Sequence, residues 1–211
     1  MLPRLYPILD IDLCRERHLE PLAVLAAFLS GGARLIQLRD KTPSTGERLA
    51  LADAVIARAH AAGAQIIIND RPDIARLSGA DGVHVGQDDL SVSDARRIVG
   101  DDAIVGVSTH DEAQIDAAVR TTATYIAVGP IYGTATKDTG YTARGLDLVR
   151  RAAASGRPVV AIGGITLDRA PEVIAAGASS VAIISDLLAG DPADRVRLCL
   201  SALGGAPRSR P

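Results

Sequence analysis

AAGAQIIIND, Ala61 to Asp70, holds the repeating unit of this chain in one short run. An alanine-rich segment ends at Gly63, three isoleucines follow without a break, and the run stops at Asn69 and Asp70. Glycine just past a helix end supplies the left-handed backbone that a helix C-terminus favours. An uninterrupted β-branched run reads as a strand buried on both faces, the pattern of a parallel sheet. The unit recurs as LSGGARLIQLR (29–39), LSGADGVHVG (77–86), ASGRPVVAIGG (154–164) and AAGASSVAIIS (175–185). Strands are predicted near 4–10, 34–39, 65–69, 82–85, 103–107, 124–128, 158–162 and 180–184, each followed by a helical segment. Ser44 with Glu47 and Thr109 with Glu112 have capping-box spacing, and Asp191 before Pro192 is a further helix start.

Strict alternation of strand and helix implies a parallel sheet, and about eight units suit a single-domain (β/α)8 TIM barrel. A doubly wound open sheet is the rival. It gathers ligand residues at one switch point, whereas a barrel collects them from most of its strand ends. The barrel domain is expected over 1–203, with 204–211, GGAPRSRP, as a flexible tail.

Composition narrows the function classes. The chain has 211 residues, 47% of them hydrophobic, enough for one sizeable core. Aromatics are 2% with no Trp, and net charge is −2, which argues against base stacking and against an extended nucleic-acid or anionic-membrane surface. Cys14 and Cys199 have neither pairing nor metal spacing and read as buried thiols of a reducing compartment. No apolar run reaches membrane-spanning length, so a cytoplasmic protein is expected, with homo-oligomerisation left open.

The strand ends carry the chemistry. Gln37, Arg39 and Lys41 alternate after strand two and share one face, toward the barrel mouth. Two cations and an amide there suit a bound pyrophosphate, although a surface Arg–Asp pair explains part of the pattern. Asp70 follows strand three, where it also fits a plain N-cap before Pro72, and Asp88 and Asp89 follow strand four. Asp70 and one of these acids can share one ion, since Mg²⁺ takes one or two carboxylates and completes its shell with phosphate and water. His84 reads as a wall residue or pocket contact, His110 as a solvent-facing residue of a helix's first turn, and Ser108 as either a cap or a ligand. Gly163, Gly164 and Ser185 follow strands seven and eight, where small barrels bind phosphate. Polar candidates after strands two to eight favour the closed barrel. They also define two anion sites, separated by the long polar loop GPIYGTATKDTGYTARG, 129–145. A loop of that length in a compact domain is either functional or disordered; if functional, Gly129, Gly133 and Gly140 would give it the hinges of a lid.

The ordered motifs QLRDK (37–41), ND (69–70), HVGQDD (84–89), GVSTH (106–110), GPIYGTATK (129–137), GGI (163–165) and IIS (183–185) closely resemble those of the thiamine-phosphate synthase family. The resemblance implies a transferase on a TIM barrel. It would join 4-amino-5-hydroxymethyl-2-methylpyrimidine diphosphate to a thiazole phosphate, releasing pyrophosphate and giving thiamine phosphate. Carried over by motif, Gln37, Arg39, Lys41, Asn69, Ser108 and Lys137 would hold the pyrimidine diphosphate, with His84 as a further contact. Asp70 and Asp89 would bind Mg²⁺, and Thr134, Thr136, Gly164, Ile184 and Ser185 the thiazole phosphate. Arg39, Lys41, Lys137 and Ser108 are the expected catalytic residues. Gly133 stands where the family more often has proline, and TGYTARG (139–145) differs from many members. A thiazole tautomerase needs an acid/base group and has no use for a metal–pyrophosphate site. A non-catalytic thiazole-phosphate-binding barrel has no need of Asp89 and Lys137.

Overall fold

The structure, a computed structural model, describes residues 1–42, 44–133 and 142–204. Eight strands form a closed barrel: β1 (Leu5–Asp10), β2 (Leu35–Arg39), β3 (Gln65–Asn69), β4 (Gly82–Val85), β5 (Ile104–Thr109), β6 (Tyr125–Val128), β7 (Val159–Ile162) and β8 (Ser180–Ile183). All pair in parallel in chain order, and β8 closes onto β1 through Tyr6 opposite Ala182. The open-sheet alternative is thereby excluded.

Alternation within each strand makes two cores. In β3, Ile66 and Ile68 face the helices while Ile67 faces the barrel axis. Tyr6, Ile8, Leu35, Tyr125, Ala127, Val160 and Ala182 join Ile67 inside. Full burial of each Ile is worth roughly 1.5–3 kcal/mol. This explains why the strands read as continuous apolar runs rather than as an alternating pattern.

Around the barrel stand α1 (Ile11–Glu16), α2 (Pro21–Ser30), α3 (Thr45–Ala61), α4 (Pro72–Ser78), α5 (Val92–Val99), α6 (Glu112–Val119), α7 (Gly145–Ala153), α8 (Ala170–Ala175) and α9 (Pro192–Ala202). The stripe of α3 is typical: Ala52, Val55, Ile56 and Ala59 lie one helical face apart and are buried. Ser44 Oγ accepts from Glu47 N at 3.3 Å and Asp191 Oδ1 from Asp194 N at 2.9 Å, as the cap spacings predict. Among the described residues no helix is long and apolar enough to cross a membrane.

Two local expectations fail. Thr109 does not cap α6. Strand β5 runs on to Thr109, whose hydroxyl donates to the Ala127 carbonyl at 2.9 Å, and Asp111 caps the helix by accepting from Gln114 N at 2.8 Å. The ladder to β6 uses the hydroxyl that the cap needed. Nor does His110 face open solvent: it is half-buried, and its Nδ1 lies 2.6 Å from the Gly129 carbonyl oxygen. Residues 205–211, most of the expected tail, lie outside the described residues.

Candidate functional site

Parallel closure sends every strand's C-terminal end to one rim, and the predicted polar residues of β2 to β5 meet there or just below it. Gln37 is buried inside the barrel and donates from Nε2 to Tyr6 Oη at 3.2 Å. Tyr6 Oη lies 3.1 Å from Tyr125 Oη, which lies 3.0 Å from His84 Nδ1. His84 Nε2 is 2.8 Å from Ser108 Oγ. One polar chain thus crosses the barrel from Gln37 on β2 to Ser108 on β5. His84 is a buried, hydrogen-bonded wall residue, and its far nitrogen meets Ser108. Ser108 does not act as a cap.

Tyr6 and Tyr125 carry no weight in a linear reading, yet they are the centre of that chain. Their rings meet edge to face with centroids 6.0 Å apart, and Tyr125 stacks on His84 at 5.7 Å. The available signal was parity, since both lie at inward positions of their strands. Burial raises the pKa of both hydroxyls, which favours the neutral form in the folded state. An unfolded chain ionises its tyrosines near pH 10. This part of the stability is therefore complete below that pH and is lost as the pH rises above it. A melting temperature that declines from about pH 10 is expected, with a shallower decline in Tyr6→Phe; an unchanged slope in that variant would contradict the buried pair.

The charged cluster sits higher on the rim. Lys41 donates to Asp70 Oδ2, and Arg39 Nη1 donates to Asp10 Oδ2 at 2.6 Å. Asp70 holds a left-handed backbone, φ 63°, which Asp tolerates better than most residues. It does not cap α4: Arg71 occupies that position, and no side chain caps the helix. Asp70 is instead turned toward Lys41 and Asp89. Burial opposes its ionisation, but hydrogen bonds with Lys41 and Asp89 outweigh that and lower its pKa. Asp89 moves the other way. Partial burial raises its pKa against the pull of the Gly86 amide, and the adjacent Asp70 adds to the rise. Asp89 Oδ2 accepts from Gly86 N at 2.7 Å, which aims the carboxylate at the rim. Asp88 and Asp89 are both exposed, and of the two candidate acids it is Asp89 whose carboxylate acts on that of Asp70. The Asn69 side-chain amide has no partner among the described residues.

Farther round the same rim Gly163 and Gly164 both have positive φ, 99° and 63°. They were expected to admit an anion, and they also admit the root of the β6–α7 connection. A Cβ on Gly163 would lie 2.5 Å from Pro130 Cα, and one on Gly164 2.5 Å from the Gly133 carbonyl oxygen. Ile131 N and Tyr132 N donate to the carbonyls of Ile162 and Gly163 at 2.9 and 3.0 Å. The Arg169 guanidinium lies 4.5 Å over the Tyr132 ring, whose hydroxyl donates to Glu172. The Gly164 N–H has no partner among the described residues and is what this turn can offer a phosphate. Ile184 and Ser185 follow β8, and Ser185 opens a single 3-10 turn, Ser185–Leu188, rather than a full helix. Thr134, Thr136, Lys137 and Gly140 lie outside the described residues.

Sequence reasoning also missed Asp10, which is 5% exposed and ends β1 beside Arg39. The inward parity that picks out Arg39 picks it out too.

The family model described as thiamine monophosphate synthase matches residues 5–187. A thiamine-phosphate synthase of Koribacter versatilis strain Ellin345 is 43% identical over 208 residues, covering 96% of this chain and 96% of its own. Another, from Mycolicibacterium smegmatis, is 45% identical over 198 residues, covering 84% of this chain and 85% of its own. Among solved structures, a thiamine phosphate pyrophosphorylase from Pyrococcus furiosus superposes with a TM-score of 0.86 at 28% identity, over 95% of both chains.

Proposed function

We propose a division of labour at the rim from the premise that this chain belongs to the thiamine monophosphate synthase family. The chain is a transferase that condenses 4-amino-5-hydroxymethyl-2-methylpyrimidine diphosphate with a thiazole phosphate to give thiamine phosphate and pyrophosphate. In our reading Gln37, Arg39, Lys41, Asn69, His84, Ser108 and Lys137 hold the pyrimidine diphosphate. Thr134, Thr136, Gly164, Ile184 and Ser185 hold the thiazole phosphate. The loop 129–145, which carries Lys137 of the first group and Thr134 and Thr136 of the second, is assigned the role of a lid. The observation that carries this reading is the cluster of Lys41, Asp70 and Asp89 on neighbouring strand ends, beside Arg39.

Asp70 and Asp89 fit a divalent cation. Two neighbouring carboxylates, one with its pKa lowered and the other with its pKa raised, repel when both are ionised, and a dication relieves that repulsion. When bound there, Mg²⁺ supplies Lewis-acid neutralisation of pyrophosphate charge.

In the proposed mechanism the bond between the pyrimidine methylene carbon and the diphosphate oxygen breaks first, and its electron pair leaves with pyrophosphate. The resulting carbocation is stabilised by the aminopyrimidine ring, and the thiazole nitrogen lone pair closes the new C–N bond. This route asks for no protein nucleophile. It asks for charge stabilisation of the leaving group, supplied by Arg39, Lys41 and Lys137. It also asks for a fixed pyrimidine, which Gln37 and Ser108 hold at the two ends of the buried polar chain, and for exclusion of water that would trap the cation. A cytoplasmic seat fits the two buried free cysteines.

The test is direct. Purified protein given both substrates and Mg²⁺ is expected to release thiamine phosphate and pyrophosphate in equal amounts. EDTA is expected to lower turnover by about 10²-fold or more, with recovery on adding Mg²⁺. Full activity in EDTA would remove the metal role given to Asp70 and Asp89.

A further inference from the structure

We infer that Asp10 is a positioning residue for this reaction, holding Arg39 so that one edge of its guanidinium faces the leaving pyrophosphate. The inference rests on the pyrophosphate role proposed for Arg39.

Asp10 and Arg39 are register partners on adjacent parallel strands, so their side chains leave the barrel wall on the same side and at the same level. Asp10 is 5% exposed, and a carboxylate that deep is kept only with its oxygens satisfied. Each oxygen has one task. Oδ1 accepts from Leu13 N at 3.0 Å and so starts α1, while Oδ2 accepts from Arg39 Nη1 at 2.6 Å. The second contact is a charge-assisted bond with both groups largely out of water: the Arg39 side chain is 18% exposed and that of Asp10 6%. Asp12 approaches the same Nη1 only at 3.7 Å and is half exposed, so it adds little direction.

The rest of the arginine is the informative part. Nε and Nη2 have no partner among the described residues, and these two parallel donors form the edge that fits two phosphate oxygens at once. A carboxylate across the Nε/Nη2 edge would compete with the substrate. Bound at Nη1 alone, it steers the fork and leaves that edge open. The helix cap immobilises the carboxylate that does the steering, so α1 becomes part of the support of the site.

Charge and capping separate by mutation, because Asn and Ser cap helices about as well as Asp. Asp10→Asn and Asp10→Ser keep the helix cap but break a largely buried ion pair, so both are expected to stay folded with a melting temperature lowered by several degrees. They are expected to lower kcat/KM for the pyrimidine diphosphate by about 10–100-fold and to leave KM for thiazole phosphate within about twofold. Calorimetry with pyrophosphate and Mg²⁺ should show weakened binding in both variants. In an Arg39→Ala background, Asp10→Asn should change kcat/KM by less than about threefold, since the group it acts through is gone. Effects that multiply in the double variant, or an intact kcat/KM in both single Asp10 variants, would overturn the inference while leaving the role of Arg39 standing. An Arg39→Ala protein with undiminished kcat/KM would instead overturn that role and the inference with it.

Discussion

An Asp70→Asn protein is expected to turn over about 10²–10³-fold more slowly than wild type, with thiazole-phosphate affinity within about twofold. Asn is the informative replacement. It shares with Asp a tolerance for the left-handed backbone that residue 70 adopts, φ 63°, so the turn after β3 survives. It does not disturb α4, which Asp70 does not cap. Lys41, with a side chain 45% exposed, loses an ion pair that contributes little to stability at such a site. What changes is one negative charge beside Asp89, together with the anchor that turns Lys41 toward the rim. The expected signature is a loss in kcat, a small change in melting temperature and an unchanged thiazole-phosphate dissociation constant by calorimetry. Should thiazole-phosphate binding collapse with turnover, the two anion sites would be one, and the separation of the β2–β4 rim from the β7–β8 rim would be wrong.

How much of this was legible follows from what each feature depends on. The strands were visible because glycine caps and β-branched runs are local: Gly63 and Ile66–Ile68 announce β3 without help from elsewhere in the chain. Strand parity put Gln37, Arg39 and Lys41 on one face toward the barrel mouth, but it did not show that Gln37 lies below the mouth, buried against Tyr6. The pairing of Tyr6 with Tyr125, 119 residues apart, depends on barrel closure and on register, which no local pattern records. The packing of Gly163 and Gly164 against residues 130–133 is hidden for the same reason. Asp10 was legible in principle from its inward parity, but no local motif marks it, although it also caps α1. Thr109 and Glu112 show the converse failure, a correct spacing whose hydroxyl is committed to a neighbouring strand. Asp70 was the residue most open to two readings, and only its backbone conformation and its partners separate the cap from the ligand.

Gly106→Ala is expected to damage the barrel severely for a single added methyl, costing about 3–5 kcal/mol, or roughly 6–20 °C of melting temperature. Gly106 is the register partner of Tyr125. A Cβ there would overlap Tyr125 Cζ and Oη and lie 2.5 Å from Cε2. A flexible side chain would swing away, but this ring is held on three sides. Its hydroxyl bonds to Tyr6 and His84, its face stacks on His84, and its edge meets the Tyr6 ring. Moving it strains a packed interior and strands hydroxyls that water does not reach, two costs that add. The damage should extend to function, because His84 is bonded to Ser108 and shifts with the ring. Residual folded protein should therefore bind the pyrimidine diphosphate more weakly, with its affinity for thiazole phosphate little altered. A double variant, Gly106→Ala with Tyr125→Leu, separates crowding from any intrinsic preference of the strand for glycine. With the ring removed the added methyl has room, so the double variant should be less destabilised than the sum of the two single changes by more than about 1 kcal/mol. Strict additivity, or a Gly106→Ala protein that melts within about 2 °C of wild type, would mean that the Tyr125 ring does not fill the space beside residue 106.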